Sequence, residues 1–190
     1  LFGGVIDIAQ GLHDAGIPDH VIRLVHEDGQ LLGPHRFDDA IVGYMKRRKK
    51  LLIGQRTAED VKIGIGTVDR RAVGGEMIVR GRDTVSGLPK AITITSKDVQ
   101  KALERPMNLI IEGIKDILEK TPPELVAEIV DHGIILTGGG ALLDGFDRVI
   151  SRVTGIAAYI VDNPRYSVII GTGRALKEMD KFQDSLVELQ

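Results

Sequence analysis

The stretch Ile134-Ile-Leu-Thr-Gly-Gly-Gly-Ala-Leu-Leu143 constrains this chain most: a short apolar run enters three consecutive glycines and leaves toward a helix-forming segment. The run reads as a buried strand. Three residues without Cβ give a turn whose backbone can take φ > 0 and can be approached closely from outside. Its N–H groups then lie at the positive end of the next helix, where a phosphate is favoured, so a strand edge of this form can hold a nucleotide. Tight strand-to-helix corners also use glycine, and the turn alone leaves both readings open.

With 190 residues and 43% hydrophobic content the chain can bury a substantial core, as one domain or as one domain with a smaller one inserted. Basic and acidic residues nearly balance, 25 against 27 for a net charge of -2, which argues against nucleic acid as a partner. Cysteine is absent, removing disulfides, thiolate metal sites and cysteine catalysis, and a reducing cytoplasm is the expected compartment. No apolar run reaches the ~18 residues of a membrane span, and Leu-Phe-Gly-Gly at the start lacks the blocks of a signal peptide. The first residue is not Met and falls inside an apparent strand, so a piece of a longer protein is expected.

Along the chain, Gly4 to Ile8 reads as a buried strand and Val21 to Val25 as a weak one. Phe37, Ala40, Ile41 and Tyr44 recur at helical spacing, and that helix ends in the basic run Lys46 to Lys50, read as a solvated helix end, with an anionic lipid or nucleic-acid contact as the minor alternative. Thr57-Ala-Glu-Asp60 has a capping-box pattern and predicts a helix from Thr57 toward Gly64 or Gly66, with Glu59 and Lys62 on one face. Glu76 to Arg80 and Lys90 to Thr95 alternate around a turn-rich stretch and predict two antiparallel strands. Residues 37–95 thus form an expected small α/β insertion.

Ser96 is the expected N-cap of a long amphipathic helix carrying Val99, Leu103, Met107, Ile110, Ile114, Ile117 and Leu118, which Pro106 should bend or restart. Thr121-Pro-Pro-Glu124 should stop it and cap the next helix, with Thr121 as N-cap. After the glycine turn come an expected helix (146–153), a strand (157–161) and a last helix from about Arg165. In that last helix Gly171 and Gly173 each cost roughly 1 kcal/mol against Ala, which a close backbone or ligand contact, or tight helix packing, would offset.

From Phe37 to about Asp180 the sequence resembles the C-terminal half of the MreB/Mbl family of bacterial actin homologues. The segments that carry it are Leu51-Leu-Ile-Gly-Gln-Arg-Thr-Ala-Glu59, Val79-Arg-Gly-Arg-Asp-Thr-Val-Ser-Gly-Leu-Pro89, Leu118-Glu-Lys-Thr-Pro-Pro-Glu-Leu125, Ile134 to Leu143 and Gly171-Thr-Gly-Arg-Ala-Leu176. The resemblance implies an α/β chain of the actin/Hsp70-like ATPase (ribonuclease H-like) fold: its second lobe, with residues 1–36 and 96–190 as the large subdomain and 37–95 as the small inserted one.

It also implies ATP as ligand, with Mg²⁺ in the intact protein, slow ATP turnover in the parent family, and self-association into filaments. Cell-wall synthesis and membrane-associated shape proteins would be partners, at the cytoplasmic face of the membrane. Gly138, Gly139, Gly140 and Ala141 match the family's turn along ribose and phosphates; Arg56, Thr57, Ala58, Glu59 and Lys62 match the helix start beside adenosine. Glu59 can accept from ribose hydroxyls and the Lys62 stem can cover a base, although the two residues also read as an ordinary i,i+3 pair. No catalytic residue and no metal ligand carries over. The family's second phosphate loop, Asp-Ile-Gly-Gly-Gly-Thr, is here Asp7-Ile-Ala-Gln-Gly-Leu12, and Ala9 and Gln10 cannot do the same job. That departure supports the alternative of a non-catalytic assembly module derived from the fold. One lobe alone should not hydrolyse ATP, because phosphoryl transfer needs phosphates, metal and water held together.

Overall fold

A computed structural model describes residues 35–72 and 74–177. The expected strands at 4–8 and 21–25 and the Asp7 to Leu12 loop lie outside them. In chain order the elements are α1 (His35–Tyr44), a wide π-type turn (Met45–Lys49), β1 (Leu51–Leu52), α2 (Gln55–Ile65), β2 (Glu76–Asp83), β3 (Pro89–Thr95), α3 (Ser96–Lys120), α4 (Pro123–His132), β4 (Ile134–Leu136), a 3-10 turn (Gly139–Leu142), α5 (Phe146–Thr154), β5 (Ala158–Ile160) and α6 (Ser167–Lys177). Two sheets result: antiparallel β1-β2-β3, and a parallel pair β4-β5 whose register sets Ile134 opposite Ala158.

Helix α3 is the spine. Val99, Leu103, Met107, Ile110 and Ile114 fall three or four residues apart and are all buried; α1 packs against this helix, and its Phe37 and Ile41 share that core with Met45 of the wide turn. At about 1.5–3 kcal/mol per buried side chain that face contributes roughly 7–15 kcal/mol as an upper bound. A proline inside a helix costs about 3 kcal/mol. Burial wins, and α3 runs as one helix through Pro106, itself buried, instead of restarting there.

Three expected caps shift, two of them because a hydroxyl finds a nearer use. Thr95, not Ser96, caps α3: its Oγ1 accepts from Asp98 N at 3.3 Å while Asp98 Oδ2 accepts from Thr95 N at 3.2 Å. Ser96 Oγ instead accepts from Gly75 N at 2.8 Å and ties down the approach to β2. Helix α2 begins at Gln55, two residues before the predicted Thr57, with Gly54 as N-cap and its first turn closed by Ala58 N donating to Gly54 O at 3.1 Å. Thr121 does not open α4; its hydroxyl donates to Ile117 O at 2.7 Å and closes α3, leaving Pro122 at the head of α4. The predicted hairpin is present, lengthened to Asp83 and joined by β1, a third strand too short to show any alternation.

The basic run is not wholly solvated. Lys46, Arg47 and Arg48 are exposed, but Lys49 Nζ lies 2.8 Å from Asp98 Oδ1, which also accepts from the Tyr44 hydroxyl at 3.0 Å. Burial raises the Tyr44 hydroxyl above its ordinary value, and the Asp98 carboxylate beside it adds to that rise. A second tie joins residues 67–72 to α5. The Asp69 carboxylate accepts from Arg71 N at 3.1 Å, from Arg148 Nε at 3.0 Å and from Arg152 Nη2 at 3.3 Å. Gly145 (φ +79) has no room for a side chain there, since a Cβ would lie 2.5 Å from Asp69 Cβ.

Candidate functional site

The glycine turn begins where β4 stops. Gly138 has φ 83 and ψ 166, a combination that L side chains avoid, and it is the one glycine of the three with positive φ. Its N–H donates to Pro164 O at 2.8 Å and its carbonyl accepts from Ala141 N at 3.2 Å, so the turn is docked on the segment after β5. The Thr137 hydroxyl donates to the same Pro164 carbonyl at 3.3 Å. A Cβ built on Gly138 would meet nothing within 4 Å. The outer side of the turn is therefore open, and a ligand can approach its main chain there.

Two side chains lie beside the turn. A Cβ on Gly139 would reach Arg165 Cγ at 4.0 Å, and one on Gly140 would reach Phe37 Cε2 at 3.9 Å. Arg165 is exposed and makes no ion pair among the described residues, and its stem lies beside the turn. Phe37 is buried and links the turn to α1. Its neighbour Asp38 is buried as well, paired with Lys62 of α2: Nζ lies 2.9 Å from Oδ1 and donates to Oδ2 at 3.1 Å. The path from turn to α2 thus runs Gly140, Phe37, Asp38, Lys62.

The expected site residues divide into three groups. Gly138, Gly139 and Gly140 form the open turn, while Ala141 is buried beneath it with its N–H engaged. Arg56 and Glu59 are exposed on the first turns of α2 and Thr57 is half-buried; Ala58 is fully buried in the core, so its share is packing. Lys62 does not pair with Glu59 in the i,i+3 manner. Its ammonium turns inward to Asp38, with only 13% of the side chain exposed, so its outward contribution is limited to the stem.

Phe37, Asp38 and Arg165 were not singled out from sequence as site residues. The Asp38 to Lys62 link spans 24 positions and Arg165 lies 26 residues past Gly139, separations that no local pattern reports. In α6, Gly171 and Gly173 are exposed and a Cβ on either would meet nothing within 4 Å, so neither is held by tight packing among the described residues. No group of three His, Cys, Asp or Glu that could hold a metal occurs among the described residues, and none of their helices is long and apolar enough to cross a membrane.

Three comparisons bear on this arrangement. The profile of the MreB/Mbl protein family matches residues 5–184. The cell shape-determining protein Mbl of Bacillus subtilis (strain 168) is 44% identical over 178 residues, 94% of this chain and 53% of that protein. The cell shape-determining protein MreB of Escherichia coli (strain K12) is 36% identical over 176 residues, 93% of this chain and 50% of that protein. Among solved structures, MreB5 of Spiroplasma citri bound to AMPPNP superposes with a TM-score of 0.74 at 36% identity, covering 78% of this chain and 45% of that one. The chain thus spans about half the length of the curated relatives it matches.

Proposed function

The chain belongs to the MreB/Mbl family and has its actin-like fold, and on that premise we propose that it is the C-terminal lobe of an ATP-binding filament protein that organises cell-wall synthesis and rod shape. One observation carries the nucleotide part: the glycine turn at the end of β4 is open on its outer side, with Arg165, exposed and in no ion pair among the described residues, beside it. In this reading Gly138 to Gly140 present main chain to the ribose and phosphates, Arg165 faces the phosphate charge, and Arg56, Glu59 and the Lys62 stem border the nucleoside from α2. Phe37 and the Asp38–Lys62 pair hold those two walls in register. Residues 37–95 then act as the small inserted subdomain and the remainder as the large one. ATP supplies the anionic ligand that switches assembly. The described residues offer no group of three His, Cys, Asp or Glu that could hold Mg²⁺.

The lobe forms one wall of a cleft, and hydrolysis needs the other wall to align water and phosphates. The 190-residue chain is therefore expected to bind adenine nucleotide weakly and to release no phosphate. The reading as a non-catalytic assembly module is favoured by Ala9 and Gln10 in the Asp7 to Leu12 segment. An equilibrium titration with a fluorescent adenine nucleotide separates the two. Gly139→Val puts a branched side chain into the open turn, and binding should be lost while the circular dichroism of the chain is retained. Equal affinity for variant and parent would refute the nucleotide site, and no binding by either would leave the assembly module standing.

A further inference from the structure

A small cavity of about 160 Å³ lies between residues 67–74 and the first turns of α3, and none of its lining residues belongs to the glycine turn or to α2. Six side chains give it its chemistry: Thr67, Asp69 and Arg70 from the connecting segment, and Lys97, Gln100 and Lys101 from α3. Three are cations and one is a carboxylate. The carboxylate is already compensated, since Asp69 accepts from Arg71 N, Arg148 and Arg152. Arg70 is paired as well, its Nη2 lying 2.8 Å from Glu104 Oε1. Lys97 and Lys101 make no ion pair among the described residues. They stand at i and i+4 on α3, the spacing at which like charges repel across one turn. An anion between them replaces that repulsion with two attractions.

The walls are fixed before any ligand arrives. Gly75 N donates to Ser96 Oγ at 2.8 Å, and a Cβ on Gly74 would lie 2.8 Å from Ser96 Cβ, so the segment is pressed against the head of α3. At its other end Val68 N donates to Asp144 O at 2.9 Å and the Thr67 hydroxyl donates to the same carbonyl at 3.2 Å, which docks it on the residues before α5. Walls already in place lose little freedom on binding. The size narrows the ligand. A volume of about 160 Å³ is several times a water's share of roughly 30 Å³ and below the roughly 300–1,000 Å³ of pockets for drug-sized molecules. It admits one tetrahedral oxyanion and is too small for a nucleotide.

We propose that this cavity is a separate anion site, which takes inorganic phosphate or the phosphoryl end of a small monoester. Lys97 and Lys101 supply the charge, the Gln100 amide donates beside them, and Arg70 contributes from the opposite wall. The site shares no residue with the nucleotide site proposed above and does not depend on it. A phosphate held there ties the connecting segment, and through Asp144 the head of α5, to α3. It therefore stabilises the folded chain in step with its occupancy.

Backbone amide NMR of the 190-residue chain tests this, with sodium phosphate added to about 20 mM while sodium chloride holds ionic strength constant, so that screening does not change. Saturable shifts are expected at Thr67, Arg70, Lys97, Gln100 and Lys101, with a melting temperature that rises along the same binding curve. Lys97→Gln/Lys101→Gln keeps the side-chain length, removes both charges and should weaken phosphate binding by about tenfold or more. Lys115→Gln, elsewhere on α3, should bind like the parent, and Gly139→Val should leave the phosphate shifts unchanged. Glycerol 3-phosphate as the second titrant separates the sources: tighter saturation of the same amides assigns the cavity to a monoester, and equal or weaker saturation assigns it to free phosphate. Shifts that never saturate, equal binding by Lys97→Gln/Lys101→Gln and the parent, or shifts confined to Gly138 to Gly140 would overturn the proposal. A chain that shows the cavity shifts but binds no adenine nucleotide would uphold this site and refute the nucleotide site alone.

Discussion

Replacing Gly138 by Ala should destabilise the chain, and replacing Gly139 by Ala should not. Gly138 holds φ 83 and ψ 166, whereas Gly139 has no positive φ. Neither site is crowded: a Cβ on Gly138 meets nothing within 4 Å, and one on Gly139 meets only Arg165 Cγ at 4.0 Å, an ordinary contact. The difference between the two variants is therefore backbone strain alone. Holding an L residue in that region costs about 1–3 kcal/mol. Both substitutions also narrow the unfolded ensemble, by about 0.4–1 kcal/mol, and this contribution cancels in the comparison. For a chain of this size, 1 kcal/mol moves the midpoint by about 2–4 °C, so Gly138→Ala should melt roughly 2–12 °C below Gly139→Ala. Thermal melts followed by circular dichroism, backed by urea titrations, measure that gap. Coincident melts, or Gly139→Ala as the weaker variant, would refute the claim that the first glycine is conformational and the second spatial.

Three further outcomes follow from other contacts. Lys62→Met leaves the buried Asp38 carboxylate without its counter-charge and should cost about 3 kcal/mol in urea denaturation, the low end for a buried pair because some solvent reaches it; the double variant with Asp38→Asn should recover much of that loss. Arg165→Ala should weaken ADP binding by about tenfold and leave adenosine binding unchanged, since one exposed charge facing phosphate is worth about a kcal/mol or more; isothermal titration of both ligands checks it. Hydrogen bonds from Arg71 N and Arg148 hold Asp69 down to about 2 against an ordinary 3.8, so the stability it contributes is present above pH 3.8 and is lost as pH falls through about 2; Asp69→Asn should flatten the stability-against-pH curve in that window, and an unchanged acid slope would contradict the assignment.

Sequence disclosed what short spacings encode. The 3.6-residue recurrence of Val99 to Ile114 specified α3, the alternation of Glu76 to Arg80 with Lys90 to Thr95 specified a hairpin, and the glycine run placed the turn at the end of β4. Helix ends were read less well, because a hydroxyl at a boundary chooses among acceptors that only tertiary structure supplies: Ser96 turned to Gly75 and Thr121 to Ile117. The candidate glycines and α2 residues came from their resemblance to a family. Phe37, Asp38 and Arg165 were not, since each meets the site across the fold.

Two of the polar clusters in residues 37–95 differ in kind, and the difference decides which of them sets the candidate site. Asp69 is held by Arg148 and Arg152, whose side chains are 50% and 43% exposed, so that cluster is screened by water and salt. The path through Phe37, Asp38 and Lys62 is largely dry, with Asp38 at 8% side-chain exposure, and Phe37 lies directly under the glycine turn. Removing a partner from the dry path strands a charge in the interior, whereas removing one from the wet cluster lets water replace it. The wall spacing of the site should accordingly follow Asp38 and Lys62, and be insensitive to salt. Nucleotide affinity measured across a salt series in Asp69→Asn should therefore parallel that of the parent, while Asp38→Asn should lower it at every ionic strength; the opposite pattern would assign control of the site to the Asp69 cluster.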